Sequence, residues 1–404
     1  MKTTICKYIG CVVGLIALFA LLMTAVYAIP NDAIEWHREY SLCVLDIEKG
    51  WESQGNLFGM FGQPGMMDNT TDRVMMESAW RNESQNAFQA AMSINGYARY
   101  WHGYQVFVRP LLVVYQYYQI RYLNVIVFIF MLLAVSAQMK KRLGRAFDAA
   151  FWMTMICAGI TVIPVNMQYM PVFMTALTAS LVLLIRYPFQ KKENLGLFFM
   201  AVGMVTNFLD FLTFPLVSLG VPMMAVLALD AREDRPGCFL RAVKMAVMWG
   251  AGYGLCWMSK WLLANLALDG NVMDSVLGHA SQWAGGGLKL DTRLEAVRLN
   301  FRYFFLQQGI RTMILPLALE AALVLLAAVF HDGRKEKRLC AGLMIAAAGI
   351  PYAWYFVMAE HSILHAWFTY RNQTMTLLGG YFATAALVDW KRVRAACQAR
   401  MRKR

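Results

Sequence analysis

The sequence predicts an all-α, polytopic membrane protein, and three observations support this prediction. Of the 404 residues, 59% are apolar or aromatic and 16% are charged, whereas a soluble domain carries about a quarter charged residues. The apolar residues form runs long enough to cross a hydrocarbon core of ~30 Å as helices. Basic residues cluster in every second connection between these runs, which is the positive-inside pattern. Spans must be helical because lipid offers free backbone groups no hydrogen-bonding partner.

About ten transmembrane helices are expected. The first follows Lys2 and Lys7 and is longer than a usual signal-peptide core, so we interpret it as an uncleaved span. The predicted spans are approximately Ile9–Ile29, Tyr122–Met139, Ala149–Pro164, Met167–Leu184, Leu195–Leu209, Pro215–Leu229, Ala246–Leu263, a run ending at Phe330, Leu339–Met358 and Met375–Val388. The alternation of basic connections predicts a multi-pass protein of the plasma membrane with both termini in the cytoplasm.

The whole chain, 1–404, is predicted to be a single transmembrane domain with two long outer loops. The first connection, 31–120, carries ten acidic and six basic residues, which marks it as a long outer loop. Within it, Met75–Ser93 is predicted to be an amphipathic helix lying on the membrane surface. A second outer loop covers roughly 265–309.

The net charge of +13 would suggest nucleic-acid binding in a soluble protein. Here the basic residues lie in short segments between apolar runs, which argues against a nucleic-acid partner. Of the eight cysteines, only Cys43 lies clearly on the predicted outer side, so no disulfide framework is expected.

Three aspartates of the first outer loop are candidate catalytic residues. Asp32 directly follows the first span, and Asp68 and Asp72 flank a short polar stretch. A carboxylate just above the bilayer can act as a general base toward an acceptor hydroxyl. The alternative interpretation of each is a solvated loop charge.

The stretch Tyr97–Pro110 combines His102, Arg99 and Arg109 with five aromatic residues. Aromatic residues of this kind stack on sugar rings or belong to an interfacial belt. Arg109 stands before a proline at the expected mouth of the bundle, where its planar guanidinium is suited to grip a phosphate.

Two further candidates lie almost within the membrane. Asp210 falls between the fifth and sixth spans, where it either contributes to a substrate site or caps the next helix. Lys260 lies near the outer end of the seventh span. It either binds a lipid phosphate or extends its ammonium group to the interface.

The segment Glu360–Arg371 contains the last candidates, His361, His365 and Arg371. The two histidines share one helix face, but a metal site would need a third protein ligand. No metal-binding residues are therefore predicted, and we expect these three side chains to contact a phosphate or to pack at the interface.

This layout resembles the GT-C superfamily of membrane glycosyltransferases, in which a long outer loop follows the first span. Arg109-Pro110, with His102 nearby, is the nearest equivalent of the histidine-proline element that the family often has before an early span. The segments Asp68–Asp72, Asn207–Thr213 and His361–Arg371 are similar to uncharacterised bacterial membrane proteins of this class.

The resemblance implies a GT-C-like fold and transfer of a sugar from a polyprenyl-phosphate donor to an extracytoplasmic glycan acceptor of the cell envelope. Arg109, Lys260 and Arg371 would hold the phosphate. Asp72 and Asp32 are the leading choices for the base, and transfer would invert the anomeric centre. No organic cofactor is implied, and the need for a divalent cation stays open.

Two other functions fit the same sequence. A transporter or flippase for a lipid-linked or polar solute would use buried charges such as Lys260 and Glu320, the latter in the middle of the eighth span. A polysaccharide polymerase would share the outer-face chemistry and the polyprenyl-phosphate-linked substrate.

Overall fold

The computed structural model describes residues 2–48, 53–54, 65–189, 192–268, 272–273, 278, 283, 287–306 and 313–402. In these ranges the regular secondary structure is helical, apart from one short antiparallel pairing of β1 (Ser53–Gln54) with β2 (Gly65–Met66) and an isolated bridge between His331 and Val388. The predicted all-α class is confirmed.

The α-helices follow one another along the chain with short connections. They are α1 (Lys2–Tyr27), α2 (Glu35–Glu48), α3 (Asn69–Glu77), α4 (Ala87–Ser93), α5 (Gln105–Leu112), α6 (Tyr117–Arg142), α7 (Arg145–Cys157), α8 (Met170–Arg186), α9 (Lys192–Leu209), α10 (Leu216–Glu233), α11 (Cys238–Ala267), α12 (Leu290–Phe305), α13 (Ile314–Val329), α14 (Lys335–Ala348), α15 (Ile350–Val357), α16 (Ala359–Leu364), α17 (Ala366–Thr369), α18 (Thr374–Ala386) and α19 (Trp390–Met401).

Each predicted span overlaps at least one of these helices. By length and composition, three helical segments of the described chain are able to cross a membrane: Thr4–Tyr27, Tyr117–Arg142 and Lys335–Val357. Shorter apolar helices occupy Met170–Arg186, Asn194–Leu209 and Ile314–Val329. These segments support the assignment as a membrane protein.

Helix α10 forms the centre of the bundle. Every residue from Leu216 to Ala231 is buried, as expected for a helix that is apolar on all sides. It packs against α8, α14 and α18. Gly379 of α18 lies so close to α14 that an added Cβ would stand 2.9 Å from the Ala348 Cβ and 3.0 Å from the Met344 carbonyl oxygen, so a larger residue there would push α18 away from α14.

Helices α9 and α11 form the closest helix pair, and two glycines permit their approach. A Cβ at Gly203 would collide with the Trp249 carbonyl, and one at Gly252 would collide with the Met200 carbonyl. Small residues let helix backbones come together in this way where lipid supplies no hydrophobic driving force between spans.

The prediction of one surface helix over Met75–Ser93 is wrong. The structure has two helices there, because α3 ends at Glu77 and Asn86 starts α4 anew with a capping box. The Asn86 side chain accepts from the Gln89 backbone N–H (2.9 Å), and the Gln89 side chain accepts from Asn86 (3.2 Å). Helix α4 packs against α1 and α11 instead of lying alone on a surface.

The second predicted outer loop, 265–309, lies partly outside the described residues. Its described portion contains the end of α11 and the whole of α12. Helix α12 packs against α15, α16 and α17, which places it beside the segment that carries His361 and His365.

Candidate functional site

Asp72 is buried where the first loop meets the helix bundle. Its carboxylate accepts hydrogen bonds from the Asn166 amide (3.0 Å) and from the backbone N–H groups of Met167 and Gln168 (3.2 Å each). The Tyr117 hydroxyl also donates to it. Burial raises the pKa of Asp72 to about 6. With so many partners, this carboxylate anchors the turn before α8 to α3.

Arg121 joins a second polar network beside Asp72. Its guanidinium donates to both carboxylate oxygens of Glu48 (2.9 and 2.7 Å) and to Asn69 Oδ1 (2.9 Å). It also lies 4.4 Å from the centre of the Tyr117 ring, a distance typical of a cation–π contact. These contacts hold α2, α3 and the start of α6 together.

Asp68 is the N-cap of α3 and is fully buried. It accepts hydrogen bonds from the backbone N–H (2.9 Å) and the hydroxyl (2.6 Å) of Thr71. The indole Nε1 of Trp367 donates to its Oδ2 at 3.1 Å. Burial raises the pKa of Asp68, and the bonds from Thr71 and Trp367 and the charge of Arg371 oppose that rise.

Arg371 is also fully buried, and its charge acts on the Asp68 carboxylate without forming an ion pair with it. Its guanidinium carbon stands 4.0 Å from the centre of the Tyr169 ring and 4.7 Å from that of Tyr370. Nε donates to the Ala158 carbonyl and Nη1 to the Trp367 carbonyl, both at 3.3 Å. Nη2 has no hydrogen-bond partner within the described ranges. A buried guanidinium with one such nitrogen can bind an anionic oxygen.

We call Asp68, Gln168, Tyr169, Trp367 and Arg371 the Asp68–Arg371 cluster. Gln168 precedes Tyr169 and is buried, yet neither atom of its side-chain amide is hydrogen-bonded to another described residue. Buried polar atoms are nearly always paired. The cluster therefore combines a carboxylate, aromatic rings, a cation with one unpaired nitrogen and an amide that has no partner among the described residues.

The two histidines lie beside this cluster. His361 Nε2 is 2.7 Å from the Leu212 carbonyl, and the His361 and His365 ring centres are 4.9 Å apart. The Trp283 ring stacks on His365 at 5.4 Å. Burial and the neighbouring histidine lower the pKa of His361 to about 3, and burial lowers that of His365 to about 4. Both are neutral at pH 7, so neither can bind a phosphate as a cation. Because Nε2 of His361 donates to the Leu212 carbonyl, its Nδ1 can only accept a hydrogen bond, for example from a sugar hydroxyl.

Asp210 organises the turn that connects α9 to α10. Its carboxylate accepts from the backbone N–H groups of Leu212 and Thr213 (3.1 Å each) and from the Thr213 hydroxyl. Burial raises the pKa of Asp210 to about 6. This geometry is that of a cap, and it directs the Leu212 carbonyl toward His361.

His102 contacts the other side of the same turn. Its ring stacks on Phe211 with a centroid separation of 5.9 Å, and its Nδ1 is 2.7 Å from the Tyr104 hydroxyl. Its Nε2 is buried, and no described residue is hydrogen-bonded to it. Burial, followed by the charge of Lys260, lowers the pKa of His102 to about 3, so this histidine is neutral as well.

Arg109 does not join these residues. It donates to the carbonyls of Val26 (2.9 Å) and Ile29 (2.6 Å) at the end of α1 and to that of Ala79, and it lies 4.7 Å from the centre of the Tyr27 ring. A cation that satisfies the last carbonyls of a helix stabilises its C-terminus. This geometry favours a structural role over the predicted grip on phosphate.

Lys260 likewise hydrogen-bonds to backbone carbonyls at the end of a helix. Its buried ammonium donates to the carbonyls of Ala91 (3.1 Å) and Met92 (2.8 Å) in the last turn of α4. It lies 5.6 Å from the centre of the Trp101 ring. The side chain therefore neither snorkels to an interface nor reaches Arg371, and its contacts favour capping of α4.

Asp32 is exposed just after α1. Of the three predicted aspartates, Asp68 and Asp72 are buried and Asp32 is not. The structure thus brings Asp68, Asp72 and Arg371 together. It places His361, Asp210 and His102 along one chain of contacts around the turn at Leu212, and it leaves Arg109, Lys260 and Asp32 outside the Asp68–Arg371 cluster.

Sequence reasoning overlooked Tyr117, Arg121, Asn166, Gln168 and Trp367. Arg121 and Tyr117 carried a usable signal, because both directly precede the second predicted span. Asn166 lies in the short connection between the third and fourth predicted spans, and Gln168 lies at the start of the fourth. Nothing in the sequence separates Trp367 from the other tryptophans.

Within the described ranges, no group of three or more His, Cys, Asp or Glu side chains is arranged to hold a metal ion. Comparisons of the chain with protein-family models, with curated proteins and with solved structures find no match.

Proposed function

We propose that the chain is a multi-pass plasma-membrane protein with ten spans, both termini in the cytoplasm and the first loop outside. The helices that overlap the predicted spans support this topology, together with the basic connections that follow alternate spans. In this arrangement the Asp68–Arg371 cluster lies at the external end of the bundle.

We further propose a GT-C-like glycosyltransferase that moves a sugar from polyprenyl phosphate to an extracytoplasmic acceptor. The observation that carries the proposal is the buried hydrogen bond from Trp367 to Asp68, which joins segments about 300 positions apart and brings the charge of Arg371 within electrostatic range of that carboxylate. A general base and a phosphate-binding cation at one site are what this reaction needs.

In the proposed step, Asp68 accepts the proton of the acceptor hydroxyl. The acceptor oxygen forms a bond to the anomeric carbon as the bond from that carbon to the phosphate oxygen breaks. The leaving polyprenyl phosphate takes the electron pair, and Arg371 Nη2 stabilises its charge. Attack from the face opposite the leaving group inverts the anomeric centre. His361 accepts a hydrogen bond from the sugar, and His365 contributes one to the sugar or the phosphate.

This proposal reassigns three residues. Asp68 replaces Asp72 as the base, because four donors already occupy the Asp72 carboxylate. Arg109 and Lys260 are assigned to helix ends, since backbone carbonyls occupy their donors. The phosphate contact is left to Arg371.

The test compares cell-envelope glycans by mass spectrometry from cells that carry the wild-type chain, Asp68→Asn or the control Asp46→Asn. Asparagine is as good an N-cap as aspartate, so α3 keeps its start while the base is lost. Asp46 is an exposed acid of the same loop. We expect the glycan to disappear with Asp68→Asn and to persist with Asp46→Asn. A normal glycan with Asp68→Asn would remove the proposed base.

A transporter for a lipid-linked or polar solute is a second candidate, favoured by one observation. Glu320 of α13 accepts a hydrogen bond from the Thr384 hydroxyl (2.6 Å), and its other oxygen is buried with no partner in the described part of the chain. Ionisable groups within spans often mark transport routes. Solute uptake by proteoliposomes that is lost with Glu320→Gln and kept with Asp68→Asn would favour this function.

A further inference from the structure

A cavity of about 1010 Å³ lies at the opposite end of the bundle from the Asp68–Arg371 cluster. It is formed where α6 ends and α7 begins, by the end of α10 and by the first turns of α14 and α19. This volume is at the upper end of the range of small-molecule sites. In the proposed topology the cavity opens to the cytoplasm.

The cavity has an apolar floor and a basic rim. The floor includes Leu143, Phe147 and the small residues Ala231 and Ala386. Seven basic and two acidic side chains complete the lining. They are Lys140, Arg145, Arg232, Arg334, Lys337, Lys391 and Arg394, with Asp332 and Asp389.

Both acidic side chains are already engaged within the wall. Asp332 forms ion pairs with Arg334 (3.0 Å) and Lys337 (2.6 Å), and the hydrogen bond from Arg334 is the main reason that the pKa of Asp332 is well below its usual range. Asp389 caps α19 by accepting from the backbone N–H groups of Lys391 (3.0 Å) and Arg392 (3.2 Å).

Five cations of the rim therefore remain without an acidic partner in the part of the chain that the structure describes: Lys140, Arg145, Arg232, Lys391 and Arg394. The N-terminus of α7 adds to the positive electrostatic potential of these five cations. Its N-cap, Gly144, makes no side-chain cap, so the first backbone N–H groups of α7 are available at the rim. Such groups favour an anion.

The cavity wall is held in place by backbone hydrogen bonds. The Asp389 N–H donates to the Phe330 carbonyl (2.7 Å), and the Asp332 N–H donates to the Leu387 carbonyl (2.8 Å). His331 pairs with Val388 as an isolated antiparallel bridge. The turn after α13 and the turn before α19 thus form one fixed wall, and the site needs little reorganisation to bind.

The positive-inside rule accounts for basic residues at this face, but it does not require them to surround a concavity. Surface cations with no special role would be expected on exposed ridges. Here they encircle a cavity with an apolar base. A basic rim above an apolar floor fits a ligand that has a phosphate group attached to an apolar or planar organic group.

We propose that this cavity is a binding site for a phosphate-bearing anion. The phosphate lies at the rim between Arg145, Arg394 and the N-terminus of α7, and the remainder of the ligand covers the alanine-rich floor. The phosphate belongs either to the headgroup of an anionic lipid or to a soluble phosphate compound. Basic clusters at the cytoplasmic surface attract the first of these electrostatically.

The test uses two triple variants with equal loss of charge. The cavity variant is Lys140→Gln, Arg145→Gln, Arg394→Gln. The control variant is Lys141→Gln, Arg338→Gln, Arg392→Gln, which removes exposed cations from the same face outside the cavity. Native mass spectrometry measures retained phosphatidylglycerol in detergent, with phosphatidylcholine as reference. Calorimetric titration with inorganic pyrophosphate measures the soluble ligand.

We expect the wild type and the control variant to bind alike, and the cavity variant to bind at least about tenfold more weakly. If the cavity variant loses only phosphatidylglycerol binding, the ligand is a lipid headgroup. If it loses only pyrophosphate binding, the ligand is a soluble phosphate compound. Equal binding by both variants, or no binding by the wild type in either arm, overturns the proposal. If the cavity variant does not fold, the single variant Arg145→Gln takes its place. We expect it to weaken binding of the same ligand, by a smaller factor. None of these readouts depends on sugar transfer.

Discussion

The indole Nε1 of Trp367 donates a 3.1 Å hydrogen bond to Asp68 Oδ2, although the two residues are 299 positions apart. This contact joins the segment before α18 to the start of α3. It also brings Arg371, four residues beyond Trp367, within electrostatic range of the same carboxylate. The candidate site exists because of this long-range pairing.

Replacing Trp367 with phenylalanine tests that pairing. The substitution removes a hydrogen bond that lowers the pKa of Asp68, while burial continues to raise it. A base works only when it is deprotonated, so activity falls as the pH drops through its pKa. We therefore expect Trp367→Phe to move the acid limb of the sugar-transfer profile to higher pH. Trp390→Phe, whose indole donates to the Ala385 carbonyl (2.9 Å), serves as the control. Unchanged profiles for both variants would mean that Asp68 is not the base.

Asp72 is expected to make stability depend on pH. Because burial raises its pKa to about 6, the folded chain holds this proton more tightly than the unfolded chain does. The contribution of Asp72 to stability is present in full below about pH 4, and it is lost as the pH rises toward 6. Thermal unfolding in detergent from pH 4 to 7 should show this decline. In Asp72→Asn the decline should be smaller.

The same Asp72→Asn variant should also lower stability at every pH. The amide offers one acceptor oxygen where the carboxylate offers two. The Tyr117 hydroxyl, the Asn166 amide and two backbone N–H groups must then share it. An unsatisfied buried donor costs about 1–3 kcal/mol. Asp46→Asn is the exposed control. A fully stable Asp72→Asn variant would mean that this network does not anchor the turn before α8.

Arg109 and Lys260 are expected to affect stability more than chemistry. In Arg109→Met, the carbonyls of Val26, Ile29 and Ala79 lose a buried donor, at a cost of about 1–3 kcal/mol. Lys260→Met should act in the same way at the end of α4. Both variants, once folded, should keep the wild-type affinity for the polyprenyl-phosphate donor, whereas Arg371→Met should lose it. A loss of donor affinity in folded Arg109→Met would restore that arginine to the phosphate site.

The proposed topology can be checked with the chain's own cysteines. Cys43 in the first loop and Cys397 in α19 are both free and exposed. A membrane-impermeant maleimide applied to whole cells should label Cys43 and not Cys397, and both should react after the cells are permeabilised. Cys43→Ser and Cys397→Ser identify the two signals. Labelling of Cys397 in intact cells would contradict cytoplasmic termini.

The positions of the helices were largely predictable from the sequence. Each predicted span overlaps a helix, because a long apolar run has few alternatives to helical structure. The interior of the first loop was not predictable to the same degree. Its short helices α2 to α5 depend on local caps, such as the Asn86 capping box, and on packing against one another and against α1, α6 and α11.

The sequence by itself determined the helical class, the approximate helix positions and the distribution of charge between connections, because these depend on each segment's own composition. Only the tertiary structure decided which ionisable residues meet. Arg109, Lys260 and Arg371 are alike in sequence terms, since all are basic residues near predicted span ends. Packing pairs the first two with helix-end carbonyls and places the third beside Asp68. Contacts between residues hundreds of positions apart depend on how the helices pack together, which no local pattern encodes.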